Sequence, residues 1–172
     1  LFRSQPTRWH QDLPYYNVNG HQNASMWFPV DPVDRSAAIR FIAGTHRGPW
    51  YMPRTFLDDR AAWFPEGSLA EIPDFDADPE RWSVIGWALE PGDAVFFNML
   101  TVHGSGGVCG TTRRRVLSVR FLGDDMVHAS RSWPTSPPFP GLVEELDDGC
   151  PLDHPLFPVL WTRSGTEAKP RN

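Results

Sequence analysis

Eighteen prolines are scattered through a chain of 172 residues, roughly double the usual share of about 5%. A proline inside a helix removes a hydrogen bond and clashes with the preceding turn. A helical bundle is therefore disfavoured, and strands joined by rigid loops are favoured. The length suits one domain with a sizeable core, and 8 Trp and 11 Phe supply bulk for it.

Strand-like runs recur between turn residues. They are ASMWFPV (24–30), AAIRFIAG (37–44), WSVIGWAL (82–89), DAVFFNML (93–100) and RRVLSVRFLG (114–123). Pro91-Gly92 marks a tight turn between the third and fourth. Helical candidates are short, FLDDRAAWF (56–64) and GLVEELDD (141–148). Many short strands with few helices point to a mainly β sandwich or jelly roll. The irregular stretch 45–81 reads either as a lid or binding loop or as a structural insertion. The Pro-rich tail is expected to wrap the body as ordered loop.

A formal net charge of −5 disfavours a general nucleic-acid surface. The apolar runs are too short to span a membrane. Cys109 and Cys150 are too few for a disulfide framework, so a reduced, cytoplasmic setting is expected, with a single disulfide still open. The chain begins with Leu1, and a further N-terminal portion is expected before it.

TRWHQDLPYY (7–16) holds His10 and Asp12, the only His-x-Asp in the chain. On a strand, residues i and i+2 share a face, so both could reach one ion with Gln11 turned away. The pair alone leaves a metal site and an ordinary polar turn both open. His103, in TVHGSGG (101–107), offers a third ligand. Two histidines and a carboxylate on one face of an octahedral ion form the facial triad of non-haem iron(II) oxygenases. His21, His46, His128 and His154 read as surface residues or neighbours of a site rather than ligands. In the strand at 114–123, Arg114, Val116, Ser118 and Arg120 share one face, and Leu117, Val119 and Phe121 the other. An arginine on an inward face needs an anion, and a carboxylate suits its planar fork. Arg113 and Arg115 are expected to pair with protein carboxylates or solvent.

WHQDLPYY, MWFPVD, IAGTHR, LEPGDAVFFNMLTVHGSGG and RRRVLSVRFLGDD, in that order over about residues 1–125, resemble the phytanoyl-CoA dioxygenase family. The resemblance implies a double-stranded β-helix (jelly roll) core, and a single domain with its core over 1–125 and a Pro-rich tail over 126–172. It implies an iron(II)- and 2-oxoglutarate-dependent dioxygenase that hydroxylates a small-molecule substrate with O2 and turns 2-oxoglutarate into succinate. It further implies His10, Asp12 and His103 as iron ligands. Arg114 and Ser105 would hold the far carboxylate of 2-oxoglutarate, and Trp27 would line that site or else pack in the core. Tyr15, Tyr16, Asn17, Asn98 and Arg120, with His46 or Trp50, are candidates for the substrate pocket. With Asp12 in place no position is left for halide on iron, so hydroxylation or a related oxidation is expected instead of halogenation.

The sequence also departs from the family. The N-terminal helices that usually precede the His-x-Asp motif are expected to lie outside the 172 residues. Val108 and Cys109 stand where a polar residue such as Asn is common, so that loop is less ordered or Cys109 lies beside the co-substrate. A cupin-like metalloprotein that does not use 2-oxoglutarate and a non-catalytic fragment are the competing readings; Arg114 and Ser105 argue against the first.

Overall fold

The computed structural model describes residues 6–52, 65, 67–108 and 113–162. Among these residues nine strands run β1 (Thr7–His10), β2 (Val18–Asn19), β3 (Asn23–Pro29), β4 (Ile39–Ile42), β5 (Val84–Gly86), β6 (Val95–Phe97), β7 (His103–Ser105), β8 (Val116–Leu122) and β9 (Val127–His128). The α-helix among them, α1, covers Leu142–Glu145. Three antiparallel sheets form, with orders β1-β7-β4-β5, β6-β3-β8 and β2-β9. This is mainly β, as the proline content and the short runs predict, and it is the jelly roll that the resemblance implies. Among the described residues no helix is long and apolar enough to cross a membrane.

Alternation decides what each strand buries. β3 pairs with β8 along seven residues, from Asn23↔Leu122 to Pro29↔Val116. Ser25 and Trp27 face inward, while Met26 and Phe28 sit opposite Val119 and Leu117 on the outer side. Between the sheets, Ile39, Phe41 and Leu89 are buried against Trp27, Val95 and Phe97. The Phe41 and Phe97 rings lie 4.9 Å apart. Each such fully buried large side chain contributes about 1.5–3 kcal/mol. On the far side of the four-stranded sheet, Ile42 and Val102 pack with Tyr51 and Phe75. Tyr51 and Phe75 come from the 45–81 stretch, whose described part therefore acts as a structural cover.

The glycines after His103 permit close backbone crossings. A Cβ on Gly104 would lie 2.8 Å from the Thr7 carbonyl oxygen, and one on Gly106 would overlap that of Ser36. Only glycine allows β7 to lie so near both segments. The tail is tied down as expected. Arg131 donates to the carbonyls of Tyr16 and Val18, Trp133 donates to Pro14, and the Ser136 amide donates to Tyr15.

Several expectations change. The strands are trimmed at their ends, most at 82–89 and 93–100, which keep three residues each. The 141–148 helix shrinks to a single turn, because Gly141 takes φ +82° and Leu146 is extended. His128 is fully buried where β9 pairs with β2. The helix expected at 56–64, and Cys109, lie outside the described residues. Asp12 is not on a strand: β1 ends at His10, and Asp12 adopts helical φ/ψ at the head of a 3-10 turn over Leu13–Tyr15. Pro14 favours that turn, and the Asp12 and Leu13 amides both donate to the Met99 carbonyl.

Candidate metal centre

His10 and His103 are cross-strand partners on β1 and β7, and their ring centroids are 4.2 Å apart. Partners on one face of an antiparallel pair point the same way. The turn then swings Asp12 back toward both rings. Asp12 Oδ1 lies 3.9 Å from His10 Nε2 and 3.7 Å from His103 Nε2. The three donor atoms fall within 4.8 Å of one another, the one such group among the described residues. The strand geometry assumed for His-x-Asp is thus wrong in detail, yet the pair converges by a turn.

The ring orientations suit a metal. His10 Nδ1 lies 2.8 Å from the Arg8 carbonyl, and His103 Nδ1 lies 2.9 Å from that of Thr101. A carbonyl can only accept, so each Nδ1 carries the proton and each Nε2 lone pair faces the centre. Burial lowers the pKa of both imidazoles, that of His103 to about 3, against the opposing pull of Asp12. Burial alone would raise the Asp12 carboxyl, but His103, Arg120, His10 and the Ser25 hydroxyl outweigh it and hold it below its ordinary range. The set is two neutral imidazoles and one carboxylate, the donor set that fits a divalent first-row ion such as iron(II).

Around this point lies a cavity of about 210 Å³. Its walls include His10, His103, Ser105, Trp27, Ser118 and Arg120. A larger space of about 650 Å³ is lined by Trp9, Arg40 and Asp76 and by none of the three donor residues. Ser105 follows His103 by two on β7 and is buried. Arg114 precedes β8; its Nη1 donates to the Gly106 carbonyl at 2.9 Å and to that of Ala37. It therefore stands one residue from Ser105, though it is not among the residues that line the smaller cavity. Arg113 and Arg115 turn outward to Asp31, as expected.

Of the suggested pocket residues, Tyr15 stands 6.2 Å from the His10 ring, with its hydroxyl pushed up to about 12 by burial and the Asp12 charge. Arg120 bonds Asp12 directly and lies near the Tyr16 ring. Trp50 packs on the Leu13 cluster and under Arg131, His46 is exposed, and Asn98 caps the turn at Leu100. Neither Asn17 nor these three line the cavity.

Two residues escaped the sequence reading. Gln11 is buried and ties the motif to the long loop: its amide donates to the Pro49 and Leu100 carbonyls and accepts from the Tyr51 amide. Ser25 is fully buried and donates to Asp12 Oδ2 at 2.5 Å. Its place two residues before Trp27, on the same face, was the available signal.

The chain thus folds as a jelly roll that brings His10, Asp12 and His103 together at one point. Residues 3–116 match the family model described as phytanoyl-CoA dioxygenase, so the chain belongs to that family. It is 29% identical over 127 residues to the peroxisomal phytanoyl-CoA dioxygenase of Rattus norvegicus, covering 70% of this chain and 35% of that protein. With the Bos taurus protein of the same description the identity is 30% over 118 residues, 65% of this chain and 32% of that one. The chain thus spans about a third of the length of the curated relatives it matches. Among solved structures, the epimerase SnoN in complex with Fe3+, alpha ketoglutarate and nogalamycin RO shares the fold. Its TM-score is 0.60 at 21% identity, over 88% of this chain and 56% of that one.

Proposed function

We propose that this chain is the core of an iron(II)- and 2-oxoglutarate-dependent dioxygenase that hydroxylates a small organic substrate. The observation that carries this reading is the convergence of His10, Asp12 and His103 on one point, with both imidazoles lining a cavity. Family membership supports it, as does the iron and alpha ketoglutarate named for SnoN, a protein of the same fold.

His10 and His103 would hold the ion through Nε2, and Asp12 through its carboxylate. Iron bound there supplies the redox chemistry, in which O2 oxidises the substrate while 2-oxoglutarate loses carbon dioxide and becomes succinate. The protein supplies position and dryness. Arg114 and Ser105 orient the far carboxylate of 2-oxoglutarate, a guanidinium and a hydroxyl both being donors to it. Trp27 forms an adjoining wall. Ile39, Phe97 and Val116 give the same cavity an apolar side. Asp12, as a third protein ligand, would occupy the place a halide would need. The outcome is hydroxylation or a related oxidation such as desaturation or ring closure.

Anaerobic titration tests this directly. Iron(II) and 2-oxoglutarate added together should give the weak visible absorption of their chelate, saturating at one equivalent of each. His103→Ala should abolish it at micromolar iron. An unchanged titration in that variant would remove the triad from the reading.

A further inference from the structure

We propose that Ser25 and Arg120 are positioning residues that fix the Asp12 carboxylate so that it binds the ion through Oδ1 alone. The inference deepens the reading of His10, Asp12 and His103 as a metal site and rests on it.

Ser25 and Arg120 are directly opposed in the β3–β8 register. Both project inward, beneath the turn that carries Asp12. Together they take both carboxylate oxygens: Ser25 Oγ donates to Oδ2 at 2.5 Å, and Arg120 Nη2 donates to Oδ1 at 2.9 Å. An ionised carboxylate offers about four lone-pair sites on its two oxygens. Oδ2 is engaged by a buried hydroxyl. Oδ1 gives one lone pair to Arg120 and keeps another, and it is Oδ1 that faces the Nε2 atoms of His10 and His103. Rotating the carboxylate to offer both oxygens would break a buried, charge-assisted hydrogen bond, among the strongest a protein makes.

Both residues are held in place for this. Ser25 has no exposed surface, and a buried hydroxyl needs a partner. Arg120 is itself held: Nη1 donates to Ser118 Oγ at 2.5 Å, and its guanidinium lies 5.9 Å from the Tyr16 ring centre. Its Nε is buried with no hydrogen-bond partner. An arginine brought into the cavity at that cost is directed at Asp12. The pair of strands therefore presets the direction and the number of ligand atoms from Asp12, before any ion arrives.

Cobalt(II) serves as the probe, because its visible spectrum reports coordination number. Ser25→Ala frees Oδ2. We expect weaker visible absorption, as the carboxylate turns to bind through both oxygens, and a fall in cobalt affinity of roughly tenfold or more, the scale usual when a partner of a metal ligand is lost. Ser25→Thr keeps the hydroxyl and should restore the wild-type spectrum. Arg120→Met should also lower affinity and alter the spectrum, with Arg120→Lys restoring part of both. A purely structural role would lower the melting temperature and leave the spectrum of the bound fraction unchanged. Should Ser25→Ala not fold, Ser25→Cys fills nearly the same space with a weak donor and carries the same expectation. Wild-type spectrum and affinity in the Ser25 variant would overturn the proposal, while loss of cobalt in His103→Ala would leave the metal reading standing. Equal cobalt binding by wild type and His103→Ala would overturn both.

Discussion

Three consecutive arginines, Arg113 to Arg115, meet different surroundings although their chemistry is the same. Arg113 and Arg115 are spent on Asp31, whose carboxyl the hydrogen bonds from Arg115 hold at about 2. Arg114 turns to the carbonyls of Ala37 and Gly106, beside Ser105. Burial lowers its pKa, yet an arginine stays charged at any ordinary pH. If Arg114 holds the far carboxylate of 2-oxoglutarate, the planar fork matters as well as the charge. Arg114→Lys should then weaken 2-oxoglutarate by about 1.5–3 kcal/mol, the scale of a hydrogen bond to a charged group. Titration of the iron-loaded protein under nitrogen measures this, with Arg115→Lys as a variant expected to leave the affinity unchanged. Equal affinities for wild type and Arg114→Lys would place the anion elsewhere.

At the level of elements, legibility followed length. β3 and β8 carry seven residues each, enough for a period of two to show, and both stood out in the sequence. β2, β7 and β9 have two or three residues and went unseen, whereas β5 and β6, also of three residues, showed because each lies inside a longer apolar run flanking the Pro91-Gly92 turn. The ligand residues were legible from their spacing and chemistry. The turn that aims Asp12 was not, because it depends on Met99, a residue 87 positions away, accepting two amides. Gln11 and Ser25 were hidden for a related reason: their partners lie in other elements. The alternation that revealed β8 has a second consequence. Its outer row, with Phe96 of β6 and Met26 and Phe28 of β3, leaves apolar side chains facing outward. Phe96 is 61% exposed and Leu117 53%. Contiguous apolar patches beyond a few hundred Å² are unusual on a monomer. The isolated 172-residue chain should therefore bind a hydrophobic dye and self-associate with rising concentration. Replacing Phe96 and Leu117 together by Lys should remove most of the dye signal. The cost in stability should stay within about 1 kcal/mol, that of an exposed site plus one aromatic contact. Iron affinity should not change. Dye binding that survives both substitutions would locate the apolar surface elsewhere.

For the molecule as a whole, the buried triad ties stability to pH. The unfolded chain protonates His10 and His103 near their ordinary value of about 6.5. In the fold burial lowers both, His103 to about 3. Below about pH 6.5 the unfolded state therefore binds more protons than the native state, and stability must fall as the pH falls. Each such histidine contributes a slope of about 1.4 kcal/mol per pH unit until its folded value is reached. Asp12 acts in the same direction at lower pH: held below its ordinary value of about 3.9, it stays ionised in the fold while the unfolded carboxyl takes up a proton. One effect opposes these. The formal charge of −5 diminishes as the pH approaches the isoelectric value of about 5.6, which relieves self-repulsion. That relief comes from exposed charges and is screened by salt, with a Debye length of about 8 Å at physiological ionic strength. The buried histidines are not, so their slope should win. Metal strengthens the trend. An ion at 100 times its dissociation constant adds about 2.7 kcal/mol, and protons compete for the same Nε2 and carboxylate atoms. Denaturant melts of metal-free protein in 0.15 M salt should lose stability steadily from pH 6.5 to pH 4.5. His103→Ala should show a shallower loss over that range, since it removes one of the two titrating imidazoles. With iron(II) present under nitrogen, the wild-type curve should lie higher at pH 7 and converge on the metal-free curve in acid. A metal-free curve that is flat from pH 6.5 to 4.5 would mean that the two imidazoles are already protonated in the fold, and a centre built on their neutral Nε2 atoms could not stand.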